Sequence, residues 1–284
     1  CVIMDNPNMK FVDVLPSRRK YNLLNYFMLI PLAERTQVKY VSFDMWETYR
    51  IITKHVFPNA VCITDHFHVI QELNRRVDRV RIRVQNRFRK TIKTLKPKEN
   101  NKTITPEEIV ELEEASRYYY VLKKFNWLLF STNKKILDVN VDRKFNRTLN
   151  RYLNYSEILE FMLVIDDELE EAFYLRNDVT YFYDHCTYDT AKKQLEKIII
   201  DFRSSPIAEM SPFANTLTNW KREIINSFII VDDKANRKMN TAIVENRNKS
   251  IKLIKHASNG YLNWERFRNR ILYTLNEDTT FYYT

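Results

Sequence analysis

Apolar and polar positions change their period twice along this chain. Residues 1–4 and 11–15 are short apolar runs around Asn6, Pro7 and Asn8, the pattern of a β-hairpin. Residues 18–30 carry Tyr21, Leu24, Tyr26 and Leu29 in a helix-like pattern. Residues 38–43 predict a strand that ends at Asp44, residues 46–56 a helix stopped by Pro58, and residues 61–64 a strand that ends at Asp65. Strands alternating with helices predict an α/β layer. From His66 the period lengthens. Ile70, Leu73, Val77, Val80 and Val84 recur at three- and four-residue steps, the seam of an amphipathic helix. Its flanks carry Arg75, Arg76, Arg79, Arg81, Arg83, Arg87, Arg89 and Lys90, with Asp78 as the one acid among them. Residues 96–102 read as a charged loop. Thr105-Pro106-Glu107-Glu108 is a helix start, with a capping hydroxyl, proline at the first helical position and acids in the first turn. Helices separated by loops follow to about residue 230, with a break at Pro206 and Pro212 and no repeat. Residues 242–257 predict a helix closed by Asn259-Gly260. Asn263 then caps a last helix with Trp264, Phe267 and Ile271 on one side.

Composition sharpens this picture. The 284 residues suffice for one large domain or two closely joined ones, and 44% of them are hydrophobic, enough for a packed core. Gly260 is the single glycine, which disfavours a strand-and-turn fold. The net charge of +10 and pI of about 9.3 suggest a polyanionic partner, of which nucleic acid is the commonest, although a merely basic surface satisfies the same numbers. Cys1, Cys62 and Cys186 lie far apart, so no zinc ribbon or finger is encoded, and their odd count fits a reducing cytosol. No apolar run approaches the ~20 residues of a membrane span, and no signal peptide is visible. The expected compartment is therefore the cytoplasm. The start at Cys1 rather than Met suggests a fragment or a processed form.

Two acids are placed where chemistry is done. Asp44 follows a strand, and a carboxylate at the C-terminal end of a strand in an α/β sheet projects toward the ligand-binding edge. Magnesium takes hard oxygen ligands, and phosphoryl-transfer sites hold it with one or two carboxylates plus substrate phosphates. A turn-forming or helix-capping role explains Asp44 equally well on local pattern alone. Glu245 lies in the first turns of its helix. At ~100° per residue it shares one polar arc with Asn248, Lys249, Lys252 and Lys255, opposite Ile243, Ile251 and Ile254. That face is either a solvated surface or a metal-binding acid continued by a track for DNA phosphates. Arg75, Arg76 and Arg79 are further candidates for DNA phosphates. Asp65, His66 and His68 suggest a metal cluster, but no cysteine partner is near and neighbouring residues diverge in extended chain. A supporting role, hydrogen-bonding near the carboxylate edge, fits them better. The acidic run 166–171 reads as a solvated helix face, and Tyr118, Tyr119 and Tyr120 as core packing rather than base stacking.

Three stretches in series make the chain recognisable: VKYVSFDMWETYR, FPNAVCITDHFHVIQELNRRVDRVR and VENRNKSIKLIKHASNGYLNWERFRNRIL. Together they resemble the ISL-three family of bacterial insertion-sequence transposases, which carry a DDE set of catalytic acids. LTNWKREIINSF, at 217–228, resembles the segment that precedes the family's glutamate. The resemblance implies an α/β, ribonuclease-H-like core with a large, mainly α-helical insertion. Residues 1–69 are the first part of that core, 70–235 the insertion and 236–284 the part carrying the glutamate. It implies DNA cleavage and strand transfer, with two Mg2+ or Mn2+ ions in the complete enzyme. Asp44 is the implied second acid and metal ligand, and Glu245 the third. Transposon ends and target DNA are the implied partners, with a homo-oligomer forming on DNA. The family's first aspartate lies in an aspartate-glutamate motif on a strand upstream of residue 1, so the chain is expected to lack it, together with the N-terminal recognition regions. Asp5 is a possible substitute for that acid. Asn246 stands where the family often has glycine, a change a helix tolerates. The alternatives are a DNA-binding remnant without catalysis and a nuclease on the same fold.

Overall fold

The computed structural model describes residues 1–276 except 6–7, 233–236 and 239–241, and of residues 232, 237, 238, 242, 243 and 245 it describes the backbone alone. Among the described residues the fold is mostly helical with four two-stranded sheets, an α/β composition. It divides into two compact units, residues 1–69 with 220–284, and residues 70–219.

The first unit opens with the expected hairpin. Val2–Asp5 (β1) pairs antiparallel with Lys10–Val14 (β2). Asn8 donates its side-chain amide to the Asp5 carboxylate at 2.6 Å, so Asp5 serves this turn. Lys20–Met28 (α1) and Leu32–Arg35 (α2) lead to Tyr40–Phe43 (β3). Glu47–Val56 (α3) then crosses over to Val61–Thr64 (β4), which runs parallel to β3. This is a short β-α-β unit of the kind the alternating pattern predicts. Leu15, Leu23, Ile52, Val56 and Phe57 form its core, with Ile3 and Val41 against them.

His66–Asn100 (α4) begins in the first unit and continues into the second. Leu73, Val77, Val80 and Val84 are fully buried along it, as the seam requires. The helix runs through Pro97, so most of the expected loop at 96–102 is helical. Proline forfeits one hydrogen bond there, but in an exposed last turn the freed carbonyl reaches water. Pro106–Lys124 (α5) starts on a complete capping box between Thr105 and Glu108. After a 3-10 turn at Asn126–Phe130, Lys144–Asn146 (β5) and Arg151–Leu153 (β6) form an antiparallel hairpin where only helices and loops were expected. Tyr155–Leu163 (α6), Asp167–His185 (α7), Tyr188–Ser204 (α8) and Phe213–Asn219 (α9) complete the unit. The acidic run at 166–171 is not simply a solvated face. Asp166 caps α7 and pairs with Arg87, Glu168 pairs with Arg83, and Glu171 accepts a 2.6 Å hydrogen bond from Ser205.

The chain returns to the first unit at Trp220, ahead of the expected 236, because Lys221–Asn226 (α10) packs on β4. Ile230–Asp232 (β7) and Arg237–Lys238 (β8) pair antiparallel. Ala242–Ala257 (α11) ends through left-handed Asn259 and Gly260, and the Gly260 N–H reaches the Lys255 carbonyl at 3.0 Å. Trp264–Leu275 (α12) begins on the Asn263 cap. Phe11, Val14 and Ile271 are buried together, with Ile251 and Ile254 of α11 and Phe267 of α12 around them.

An ion pair locks α12 to the hairpin. Arg268 Nε lies 2.6 Å from buried Asp13, which also accepts the Val14 N–H at 2.6 Å. Burial alone would raise the Asp13 pKa. Hydrogen bonds from Arg268, Val14 and Tyr26 outweigh it and hold the carboxyl below its usual range. The Tyr26 phenol is pushed up to about 12 by burial and by its bond to Asp13. A carboxyl depressed in the folded state stabilises above its unfolded pKa of about 4 and loses that contribution as pH falls through the folded value. Acid unfolding between about pH 5 and pH 2 should therefore be shallower in Asp13→Asn than in the parent. Urea midpoints across that range provide the check, and parallel pH profiles would contradict the assignment.

Candidate active site

Two acids stand side by side at one strand edge. The parallel register sets Phe43 opposite Thr64, so Asp44 and Asp65 are the next residues beyond adjacent strand ends. Neighbouring strands lie about 4.8 Å apart, which makes the two backbones close neighbours. The Asp65 N–H donates to the Phe43 carbonyl at 3.3 Å, and the Trp46 N–H to the Asp44 carbonyl at 2.6 Å. This juxtaposition follows from pairing between segments 21 residues apart, so neither acid announces it locally.

The two carboxylates are used differently. Asp65 is 1% exposed and caps α4, accepting the Phe67 N–H at 3.1 Å with His66 Nδ1 at 3.2 Å. That is the geometry of a helix N-cap. Asp65→Ala should cost ~1 kcal/mol of stability while Asp65→Asn, which keeps a capping oxygen, should cost much less. Equal losses in thermal unfolding would remove the capping role. His66 is exposed, and His68 rests beside the Phe67 ring at 5.6 Å. Among the described residues, no three side chains of His, Cys, Asp or Glu gather around one point.

Asp44 is half-buried, and its Oδ1 is enclosed with no hydrogen-bond partner among the described residues. An enclosed carboxylate oxygen without a donor is costly, and such an atom calls for an explanation. A hard divalent cation, which takes oxygen ligands, would satisfy it. The surroundings hold the residue in place. Tyr49 packs edge-on to Trp46 at 4.6 Å, and its phenol is pushed up by burial and then by the Asp44 charge, with Arg18 acting in the opposite sense. Arg18 lies 5.3 Å from the centre of the Trp46 ring. Sequence reasoning missed Arg18 and Tyr49 as neighbours of this site. Tyr49 falls within the motif around Asp44, whereas Arg18 carries no local signal.

A largely buried clamp braces the strands. Arg50 pairs with Glu47, lies 3.6 Å from Glu223, which is almost fully buried, and stacks on Trp220 at 4.3 Å. Trp220 meets Phe43 at 6.4 Å, and Asn226 donates to the Cys62 carbonyl at 2.9 Å. The segment at 220–228 is thus tied to the strand pair that presents Asp44.

Glu245 lies in the first turns of α11, but its side chain is outside the described residues. Farther along, Asn248, Lys249, Lys252 and Lys255 are exposed, while Ile251 and Ile254 turn to the hairpin core. In the second unit the arginines of α4 divide. Arg76 is held by Glu72, the Glu209 carbonyl and the Phe213 ring, and Arg83 and Arg87 are taken by acids. Arg75 is exposed beside Gln71 and Glu72. Arg79, Arg89, Lys90 and Lys93 are exposed, make no ion pair among the described residues and line a groove of about 620 Å³.

A family model described as a transposase, of the ISL3 type of DDE transposases, matches residues 1–271. A curated relative, the transposase for insertion sequence element IS1001 of Bordetella parapertussis, is 24% identical over 267 residues. The match covers 94% of this chain and 54% of the relative, so the chain spans about half the relative's length. No solved structure matches. No helix among the described residues is long and apolar enough to cross a membrane. With a model match over nearly all its length, the chain belongs to the ISL3 family of DDE transposases.

Proposed function

We propose that the first unit is the catalytic core of a DNA transposase, built on a ribonuclease-H-like plan, and that residues 70–219 are a helical insertion in it. The observation that carries this reading is the enclosed Oδ1 of Asp44, unpartnered among the described residues, at the edge of a parallel strand pair. Asp44 and Glu245 are the proposed ligands for Mg2+ or Mn2+. When bound, such ions activate water or a DNA 3′-hydroxyl for in-line attack on phosphorus and stabilise the leaving oxygen. The chain's own groups do the positioning. Asp65 fixes the start of α4 beside Asp44, the Arg50–Glu223 pair braces the strands, and Trp46 and Tyr49 wall the carboxylate. Asn248, Lys249, Lys252 and Lys255 present a face to DNA phosphates, and so do Arg75, Arg79, Arg89, Lys90 and Lys93 on α4.

DNA is the proposed partner of both faces, with transposon ends and target as substrates and a homo-oligomer as the working form on DNA. From Arg79 to Lys93 the α4 face extends about 21 Å at 1.5 Å per residue. Replacing Arg79, Arg89, Lys90 and Lys93 by Gln should make the slope of log affinity against log salt on duplex DNA shallower by ~0.9 for each phosphate that is no longer neutralised. Anisotropy titrations over a salt series measure this, and an unchanged slope in a folded variant would take α4 out of the DNA path. Assaying cleavage and strand transfer separately in the full-length protein tests the reaction itself. Transfer supports a transposase, cleavage without transfer a nuclease, and binding without either a DNA-binding remnant.

A further inference from the structure

The second unit holds a cavity that the proposed chemistry does not use. Its volume is about 530 Å³, within the ~300–1,000 Å³ range of small-ligand sites. Tyr120, Lys124, Lys144, Phe145, Arg147 and Tyr155 line it, contributed by α5, the β5–β6 hairpin and the first residue of α6. Asp142 is the one acid in its wall.

Two properties of this wall point to the same kind of ligand. The first is aromatic surface left open: Phe145 is 49% exposed and Tyr155 41%. Rings recruited only for packing are normally covered. The second is charge. From Lys144 to Arg151 the hairpin carries three cations and no acid, and Lys144, Arg147 and Arg151 are exposed without an ion pair among the described residues. Lys124 adds a fourth, 3.0 Å from the Tyr120 hydroxyl and 5.2 Å from the centre of its ring. The hairpin is braced rather than loose. Asn146 Oδ1 accepts the Thr148 and Leu149 N–H groups at 3.1 Å, and buried Asn154 donates to the carbonyls of Val139 and Val141 at 3.0 and 3.4 Å.

We infer that this cavity takes one unpaired nucleotide of a DNA strand, with its base against Phe145 and Tyr155 and its phosphates against Lys144 and Arg147. An acidic peptide would answer the cations and leave the rings unused. A closed duplex hides its base faces in the stack, so only a base that has left the stack can enter. Aromatic platforms beside cations bind single strands in this way, stacking on the bases while the charges follow the backbone. The inference rests on the reading of the chain as a DNA-acting protein.

The test compares three DNAs on the same protein: a short thymidine strand, the same strand made of abasic residues, and a duplex. The thymidine strand should bind about tenfold more tightly than the abasic one. Phe145→Ala should erase that preference, and Arg147→Gln should weaken both strands and flatten their salt dependence. Phe145 also packs against Tyr152 at 5.1 Å, so Phe145→Leu, which keeps an apolar cross-strand neighbour without the π face, must lose the preference as well. Equal affinity for thymidine and abasic strands, or a preference that survives Phe145→Leu, overturns the inference while duplex binding stands. Failure to bind any of the three overturns this inference and the DNA reading together.

Discussion

Asp44→Asn is expected to lower metal-dependent DNA cleavage and joining by the full-length transposase on the order of a thousandfold without lowering the stability of the fold. The two halves of this prediction follow from one atom. The Oδ1 of Asp44 is enclosed and has no hydrogen-bond partner among the described residues. If its purpose is to ligate a divalent ion, a neutral amide of the same shape is a far weaker ligand. If it contributed to folding, removing its charge would cost stability. Instead one oxygen of the carboxylate is enclosed without a hydrogen-bond donor among the described residues, so an amide in its place should cost the fold little. Loss of activity with retained or increased melting temperature is the signature of a residue kept for chemistry. A clear drop in melting temperature with activity intact would make Asp44 a structural turn residue.

Arg50→Ala is expected to act in the opposite manner, destabilising the protein by ~3–5 kcal/mol. Arg50 is the cation beside Glu223, whose side chain is almost wholly enclosed, and it also covers the Trp220 ring. Truncation strands a buried carboxylate and opens a gap over the indole. Removing both charges with apolar replacements, Arg50→Met with Glu223→Leu, should recover most of the loss, because the penalty lies in the unpaired charge. Chemical denaturation of the two variants checks this. A single variant that loses under ~1 kcal/mol would show that water reaches Glu223 and that the clamp is weak.

Much of the first unit was legible in its sequence because its signals are local. Apolar runs bounded by Asn-Pro-Asn, Asp44, Pro58 and Asp65 placed β1 to β4 and α3 within a few residues. The 3.6-residue seam placed α4, and the Thr105 and Asn263 caps placed α5 and α12. What was not legible depends on distant partners. The acids at 166–171 look solvated until Arg83 and Arg87, about 80 positions away, fold against them. The β5–β6 hairpin has three-residue strands and Asn150, not glycine, at positive φ, so neither alternation nor turn chemistry stands out. Trp220 reads as part of a helical region until its ring meets Phe43 and Arg50. The pairing of Asp44 with Asp65 at one edge is a matter of strand register, which no short motif encodes. Asp44 was visible as a strand-end acid. Its enclosed oxygen, and the different duty of Asp65, required the packed structure.

Asp44 and Glu245, 201 positions apart in sequence, are proposed to hold divalent metal together. Thermal unfolding of this chain with and without Mn2+ tests it most directly, since an ion bound only by the folded state raises the melting temperature. Saturating Mn2+ should raise the melting temperature of the parent and of Asp65→Asn, and Asp44→Asn and Glu245→Gln should each lose the rise. An equal rise in all four proteins, or a rise abolished by Asp44→Asn and untouched by Glu245→Gln, would contradict it.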